Sequence, residues 1–413
     1  MEAHEPHVRA LLPEADRSHR LLAAARALTG PGRERPLSGL LLGVKDIIAA
    51  EGFPTRCGSM LPHEAHGLPS DSVVVRRLRE AGAIVAGKTV TTEFANKDPG
   101  PTANPWDTTH TPGGSSSGSA AAVAAGMIHI ALGTQTIGSV ARPASFCGIC
   151  GYKPSYWRVP SEGVAVYSPS IDTVGFYTPD AAGMHLVASV AVDHWDSARF
   201  SATAASARPP VLGVPEGGYL RAFAPESLAA FEEALADLAR AGVVVRRVPG
   251  VMEDVEAVAG RHVDLTRAEW AQSLSGQWKS YSSLFRSKSA MEMVAGLATP
   301  SEAVLIGRKS RGKLRAELER AMDAADVDLW VTPGALQGSA PLGLDSTGDS
   351  LAQLPWSHSG LPTLSLPAGL DMRLPRPLPL GLQFAARFGK DEELLAWGVQ
   401  LEAAGLADAP RLA

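Results

Sequence analysis

Cysteine is scarce: Cys57, Cys147 and Cys150 are the only three in 413 residues. Three thiols cannot make a fully paired disulfide framework, which fits a reducing compartment. Cys147 and Cys150 form a C-x-x-C, but in a Gly-rich apolar stretch with no second ligand pair at metal spacing, so packing is favoured over redox or metal work. Zinc-type histidine spacing is missing as well. His63 and His66 in HEAH stand at i,i+3 rather than i,i+4, flanked by the loop formers Pro62 and Gly67, and neither a metal nor another cofactor is expected. No long Lys/Arg run occurs and the net charge is −5, which argues against nucleic acid or an anionic membrane as partner. No stretch reaches the roughly 18 apolar residues of a spanning helix. The opening MEAHEPHVRALLPEADRSHR has no signal-peptide core, and a cytoplasmic setting with a small-molecule partner is expected.

What is present is ample core material: 45% of residues are hydrophobic and 20% charged, enough for one compact unit over 1–413. An N-terminal helical segment, 1–35, carries Ala, Leu and Arg at helical spacing over 14–28. The apolar run 40–48 then reads as a strand and its exit, placing Lys45 near the end of a buried strand. Helix 73–81 and strand 83–86 follow; after a Pro/Thr/Ser/Gly-rich loop over 100–119 come helix 119–125 and strand 128–133. A second turn, 134–139, follows that strand, and Pro143 with Gly148 and Gly151 rules out a long helix after it. The Ala/Ser-rich stretch 193–210 reads as a surface linker. Beyond it come strand 211–214, helix 225–241, strand 243–248, a largely helical region over 253–330, strands 329–332, 363–366 and 380–384, and helix 391–404. No internal repeat is found. This is an α/β pattern.

The chemistry concentrates in two loops. Pro112-Gly113-Gly114-Ser115-Ser116-Ser117-Gly118-Ser119 enters an Ala-rich helix, but lacks the Lys of a phosphate cradle. By composition it could equally be a linker, although it stands between well-patterned elements. The second loop, Thr134-Gln135-Thr136-Ile137-Gly138-Ser139, contains no histidine, and Ser139 has no G-x-S-x-G elbow, which weakens a Ser-His-Asp reading despite His110 and His129 nearby. A serine hydroxyl needs a base. A lysine can serve if burial disfavours its charged form, and Lys45 follows an apolar strand.

These residues carry a resemblance to the amidase signature family, from about residue 36 onward. The matching stretches are GVKDII (43–48), GKTVTTEFA (87–95), NPWDTTHTPGGSSSGSAAAVAAG (104–126), LGTQTIGSV (132–140), RPASFCGICGYKP (142–154), SGLPTLSLPAG (359–369) and PLGLQF (379–384). The resemblance implies a single α/β/α fold around a large mixed central sheet, commonly as a homodimer. It places the catalytic lysine on Lys45, a cis-configured bridging serine on Ser115 and the nucleophile on Ser139. In the implied relay Lys45 takes a proton from Ser115, Ser115 takes one from Ser139, and Ser139 attacks the amide carbonyl. Backbone N–H groups of Thr136, Ile137, Gly138 and Ser139 lie in the turn that would face the oxyanion, at about 3 kcal/mol per donor.

The chain departs from the family at four positions near the site. Gln135 stands where Asp is usual, Ile137 and Ser117 where Gly is usual, and Ala141 where Arg is usual, with Arg142 one position on. The Asp–Arg pair is lost as a pair, which leaves no unmatched buried charge. Ile137 is expected to narrow the acyl pocket or to demand different backbone angles. Specificity is expected from 157–180 and 253–345, with Trp270, Trp278, Tyr281 and Trp356 as candidates for an apolar acyl pocket, against the alternative that they pack helix on sheet. The expected activity is hydrolysis of a small-molecule carboxamide. The alternatives are a glutaminase-type amidotransferase subunit, and an acyl transferase or pseudoenzyme on the same fold.

Overall fold

The apolar run ending at Gly43-Val44-Lys45 folds as a strand, β1 (Leu41–Lys45), buried at nearly every position. In the computed structural model, which describes residues 1–28, 35–68, 70–206 and 208–406, it joins β2 (Ile84–Thr89), β3 (Ile130–Gln135), β4 (Cys150–Lys153), β5 (Thr173–Thr178), β6 (Leu212–Glu216), β7 (Val245–Pro249), β8 (Leu329–Pro333), β9 (Thr363–Asp371) and β10 (Leu378–Ala385). The ten strands form one sheet in the order β2-β1-β3-β5-β4-β9-β10-β8-β6-β7. β2, β1 and β3 run parallel; from β3 through β5, β4, β9 and β10 to β8 every neighbour is antiparallel; β8, β6 and β7 are parallel again. This is the large mixed α/β sheet that the resemblance implies.

Both faces are covered, which is why the strands read as apolar runs without alternation. On one face Leu42, Val44, Leu132 and Phe176 pack with helices Val73–Glu80, Ala181–Ala191 and Asp391–Leu401. On the other, Ala131 and Tyr177 meet Ala120, Ala121, Ala122 and Ala144 of helices Ser117–Ala124 and Ala141–Cys147. Those alanines are short enough to let the two helices lie close on the sheet. At Gly118 a Cβ would stand 2.2 Å from the Ala10 carbonyl oxygen and 2.4 Å from the Val90 nitrogen, so the start of helix Ser117–Ala124 is held tightly against the backbone beside β2.

Several elements differ from the sequence reading. β4 and β5 were not expected, and they form the middle of the sheet. Part of the 193–210 stretch is a helix, Ser197–Ala204, capped by the Asp196 carboxylate and bearing Phe200, which stacks on His185. HEAH is a 3₁₀ turn, His63–His66, rather than an irregular loop. The end of the N-terminal helical segment, 29–34, lies outside the described residues. Among the described residues no group of three His, Cys, Asp or Glu side chains is placed to hold a metal ion, and no helix is long and apolar enough to cross a membrane.

Candidate active site

β1 and β3 pair in parallel with Val44 opposite Leu132, so the chain leaves both strands at the same end of the sheet. Lys45 closes β1 there, and its side chain is completely buried. Nζ donates to Ser115 Oγ at 2.7 Å and to Thr134 Oγ1 at 2.8 Å. Burial pulls the ammonium down from its ordinary 10.5 to about 7, with the negative charge of Asp172 working in the opposite direction.

The Gly/Ser-rich loop is tied to the sheet, which distinguishes it from a linker. Its Gly114–Ser115 peptide bond is cis. Ser116 Oγ accepts from the Thr134 N–H at 3.2 Å, Ser119 Oγ donates to the Leu132 carbonyl at 2.7 Å, and Ser117 Oγ donates to the Val90 carbonyl at 3.4 Å. The serines around Ser115 therefore serve as clips between β2, β3 and the start of helix Ser117–Ala124. Ser117, where the family usually has Gly, is one of them.

The second loop is organised by Gln135. Its carboxamide oxygen accepts from the Val140 and Ala141 N–H groups at 2.8 and 2.9 Å, capping helix Ala141–Cys147, and its nitrogen donates to Ser357 Oγ at 3.0 Å. Ser357 in turn donates to the Ile137 carbonyl at 2.6 Å, and Tyr177 OH donates to the Ser139 carbonyl at 2.9 Å. With these carbonyls held, the N–H groups of Ile137, Gly138 and Ser139 have no protein acceptor among the described residues. A turn with free N–H groups beside a serine is suited to a developing oxyanion. Ile137 needs no left-handed backbone, and its side chain packs partly against the cluster containing Ala352 and Trp356.

Ser115, Thr136, Ile137, Gly138 and Ser139 line one cavity of about 400 Å³. Ser139 is half-buried on its wall. Its hydroxyl makes no hydrogen bond to Ser115 in this structure, so the lysine end of the implied relay is in contact and the nucleophile end is adjacent.

Asp172 is the residue that sequence reasoning missed. It is half-buried; Oδ1 accepts from Thr136 Oγ1 and Oδ2 from the Tyr167 N–H, each at 2.5 Å. Burial pushes its carboxyl up to about 6 against those hydrogen bonds and the attraction of Lys45. The four aromatic candidates are placed elsewhere. Trp270 is buried behind Tyr167, with ring centroids 5.4 Å apart, and only Tyr167 reaches the cavity. Trp278 packs edge-on against Phe285, and Tyr281 is half-buried on the same cluster. Trp356 is wholly buried and donates from Nε1 to Tyr219 OH. None of the four lines the cavity. The three cysteines are buried thiols, with Cys147 closing a helix and Cys150 opening β4.

A family model described as Amidase matches residues 2–395. A glutamyl-tRNA(Gln) amidotransferase subunit from a Synechococcus species is 32% identical over 441 residues, covering 95% of this chain and 89% of that protein. A crystal structure of an amidase is 32% identical and superposes with a TM-score of 0.84, covering 97% of this chain and 93% of the other. The native peptide amidase from Stenotrophomonas maltophilia is 27% identical with a TM-score of 0.80, at 98% and 91% coverage. A match across nearly the whole chain, on a fold built around the paired ends of β1 and β3, makes this protein a member of the amidase signature family, enzymes that hydrolyse carbon–nitrogen amide bonds.

Proposed function

We propose that the chain hydrolyses a small-molecule carboxamide, with Ser139 as nucleophile, Ser115 as proton relay and Lys45 as base. The observation that carries this reading is Lys45: fully buried, lowered to about 7, and 2.7 Å from Ser115 Oγ. A lysine neutral near physiological pH can take the Ser115 proton as Ser115 takes that of Ser139. Ser139 Oγ then bonds to the carbonyl carbon, and the oxyanion is held by the turn N–H groups of Thr136, Ile137, Gly138 and Ser139. The same relay returns a proton to the departing amine, and water releases the acid from the Ser139 ester. A cavity of about 400 Å³ fits a small acyl group.

A second reading, a glutaminase-type amidotransferase subunit, is favoured by the name of the Synechococcus relative. That branch usually continues with Arg-x-Pro shortly after the nucleophile, and Val140-Ala141-Arg142-Pro143 in this chain weighs against it. Labelling with a fluorophosphonate and scoring ammonia release from small amides separates the two. The expected result is an adduct on Ser139, lost in Ser139→Ala, with ammonia released by the chain alone. An adduct with turnover only when a partner protein is added would favour the amidotransferase reading; no adduct on folded protein would remove both readings.

Asp172 gives a pH signature. Lys45 must be neutral to act, so the rate should rise as pH climbs through about 7. Asp172→Asn removes a negative charge that favours the ammonium, so the acid limb should move to lower pH, by about 1 unit. A pH–rate profile of kcat/KM reads the shift, and an unmoved or upward-moved limb would remove Lys45 as the titrating base.

A further inference from the structure

We infer that Glu269 is a positioning residue for the Lys45 base: from helix Val255–Ser273 it fixes the 168–172 turn and so keeps the Asp172 carboxylate within electrostatic reach of Lys45. This rests on the amide-hydrolase reading above. The turn is built around Pro169, whose two flanking serines share one acceptor. Ser168 Oγ and the Ser170 N–H donate to Glu269 Oε2 at 2.6 and 3.0 Å, and Ser170 Oγ donates to Oε1 at 2.6 Å. Oε1 also accepts from Arg308 Nε and Nη2, at 2.9 and 2.6 Å. Glu269 is 3% exposed, and a carboxylate buried so deeply is costly unless it is paired and hydrogen-bonded. Burial works to raise its pKa, and the serine and arginine bonds outweigh it and hold the group below the usual carboxylate range.

The next residue on the helix grips the same segment. Trp270 stacks on Tyr167, whose N–H donates to Asp172 Oδ2. The Asp172 N–H in turn donates to the Ser168 carbonyl at 2.8 Å, which closes the turn. Glu269 is thus tied to Ser168 and Ser168 to Asp172. Tyr156 OH supplies a separate clip, donating to the Pro169 carbonyl at 2.6 Å, so loss of Glu269 loosens the turn without releasing it.

Little else charged bears on the base. Lys45 faces the neutral hydroxyls of Ser115 and Thr134, while Asp46 and Lys88, beside it at the ends of β1 and β2, pair with each other at 3.3 Å. Asp172 is the carboxylate whose charge favours the Lys45 ammonium. Glu269 itself faces Arg308, and its charge also acts on Arg311. Its influence on Lys45 therefore passes through the position of Asp172.

The test follows the rate at which a fluorophosphonate labels Ser139 as pH is varied, in wild type, Asp172→Asn, Glu269→Gln and the double variant. Glutamine keeps the shape of glutamate but carries one NH₂ end. Whichever way the amide turns, that end meets a fixed donor, the Ser170 N–H on one side or the Arg308 guanidinium on the other. The turn should loosen, and the acid limb should move to lower pH, the direction expected for Asp172→Asn, by about 0.5 unit or more. With Asp172→Asn already present, Glu269→Gln should add less than about 0.2 unit, because the two act in series. Ser168→Ala combined with Ser170→Ala leaves the glutamate charge in place and should reproduce the shift; it also carries the test should the glutamine variant fail to fold. A merely structural role would lower the denaturant midpoint and leave the limb where it is. An unmoved or upward-moved limb in the folded variants, or an equal shift with and without Asp172, overturns the inference. An unmoved limb in Asp172→Asn, or no labelling of Ser139, would instead overturn the reading on which it rests.

Discussion

Lys45→Met is expected to lower kcat/KM for amide hydrolysis by about a thousand-fold, the range of a general base, and to flatten the dependence of stability on pH. The second effect follows from the same burial. A lysine at about 7 in the folded protein and near 10.5 when unfolded binds fewer protons folded than unfolded between those values, so stability rises with pH across that window. Below about 7 the whole penalty is in force. Relative to wild type, the methionine variant should gain on the order of 4 kcal/mol as pH falls from 10 to 6, read from denaturant midpoints. Loss of a partner for the Ser115 and Thr134 hydroxyls subtracts a roughly constant amount of about 1–3 kcal/mol each, which leaves the slope untouched. Parallel pH curves for the two proteins would show that Lys45 is charged where it sits.

The second large effect is steric. Gly118→Ala would force a methyl group against the backbone of both Ala10 and Val90, neither of which is a flexible side-chain end. A loss of about 3 kcal/mol or more is expected in urea unfolding. Activity should fall beyond what stability explains, because the helix start that shifts also carries Ser115 to Ser117. Gly260→Ala is the control. That glycine has open space around it within helix Val255–Ser273, and alanine there should be neutral or stabilising by up to about 1 kcal/mol. Equal behaviour of the two variants would dismiss close packing as the reason for Gly118.

Much of this was legible because it is local. An apolar run ending in lysine marks a buried strand end, and Lys45 is there; periodicity found helices Val73–Glu80 and Pro225–Arg240 within a residue or so. β5 was legible in principle: Thr-Val-Gly-Phe-Tyr-Thr is rich in strand formers and bounded by polar residues. β4, only Cys150–Lys153 and containing a glycine, offers almost no signal of its own. Asp172 was hidden for a different reason. Its approach to Thr136 depends on Gln135 pairing with Thr173 across an antiparallel register, which no local pattern encodes. Gln135 itself reads in sequence as a lost charge, whereas in the fold its carboxamide holds together the turn, helix Ala141–Cys147 and Ser357. The aromatic residues looked like a pocket lining because size and hydrophobicity suit cores and pockets alike.

The strand order bears on how this molecule comes into being. β4 lies between β5 and β9, so residues 150–153 acquire their second neighbour only after more than 200 further residues have been made. Ser357, which steadies the Ile137 carbonyl, arrives equally late. During synthesis, the segment bearing Lys45, Ser115 and Ser139 therefore leaves the ribosome with an unpaired strand edge and with the 136–139 turn unsupported. Such non-local closure is slow. The site is then complete only once β9 and Ser357 are in place, and shortening the chain before β9 would leave an open sheet edge prone to self-association rather than a smaller enzyme.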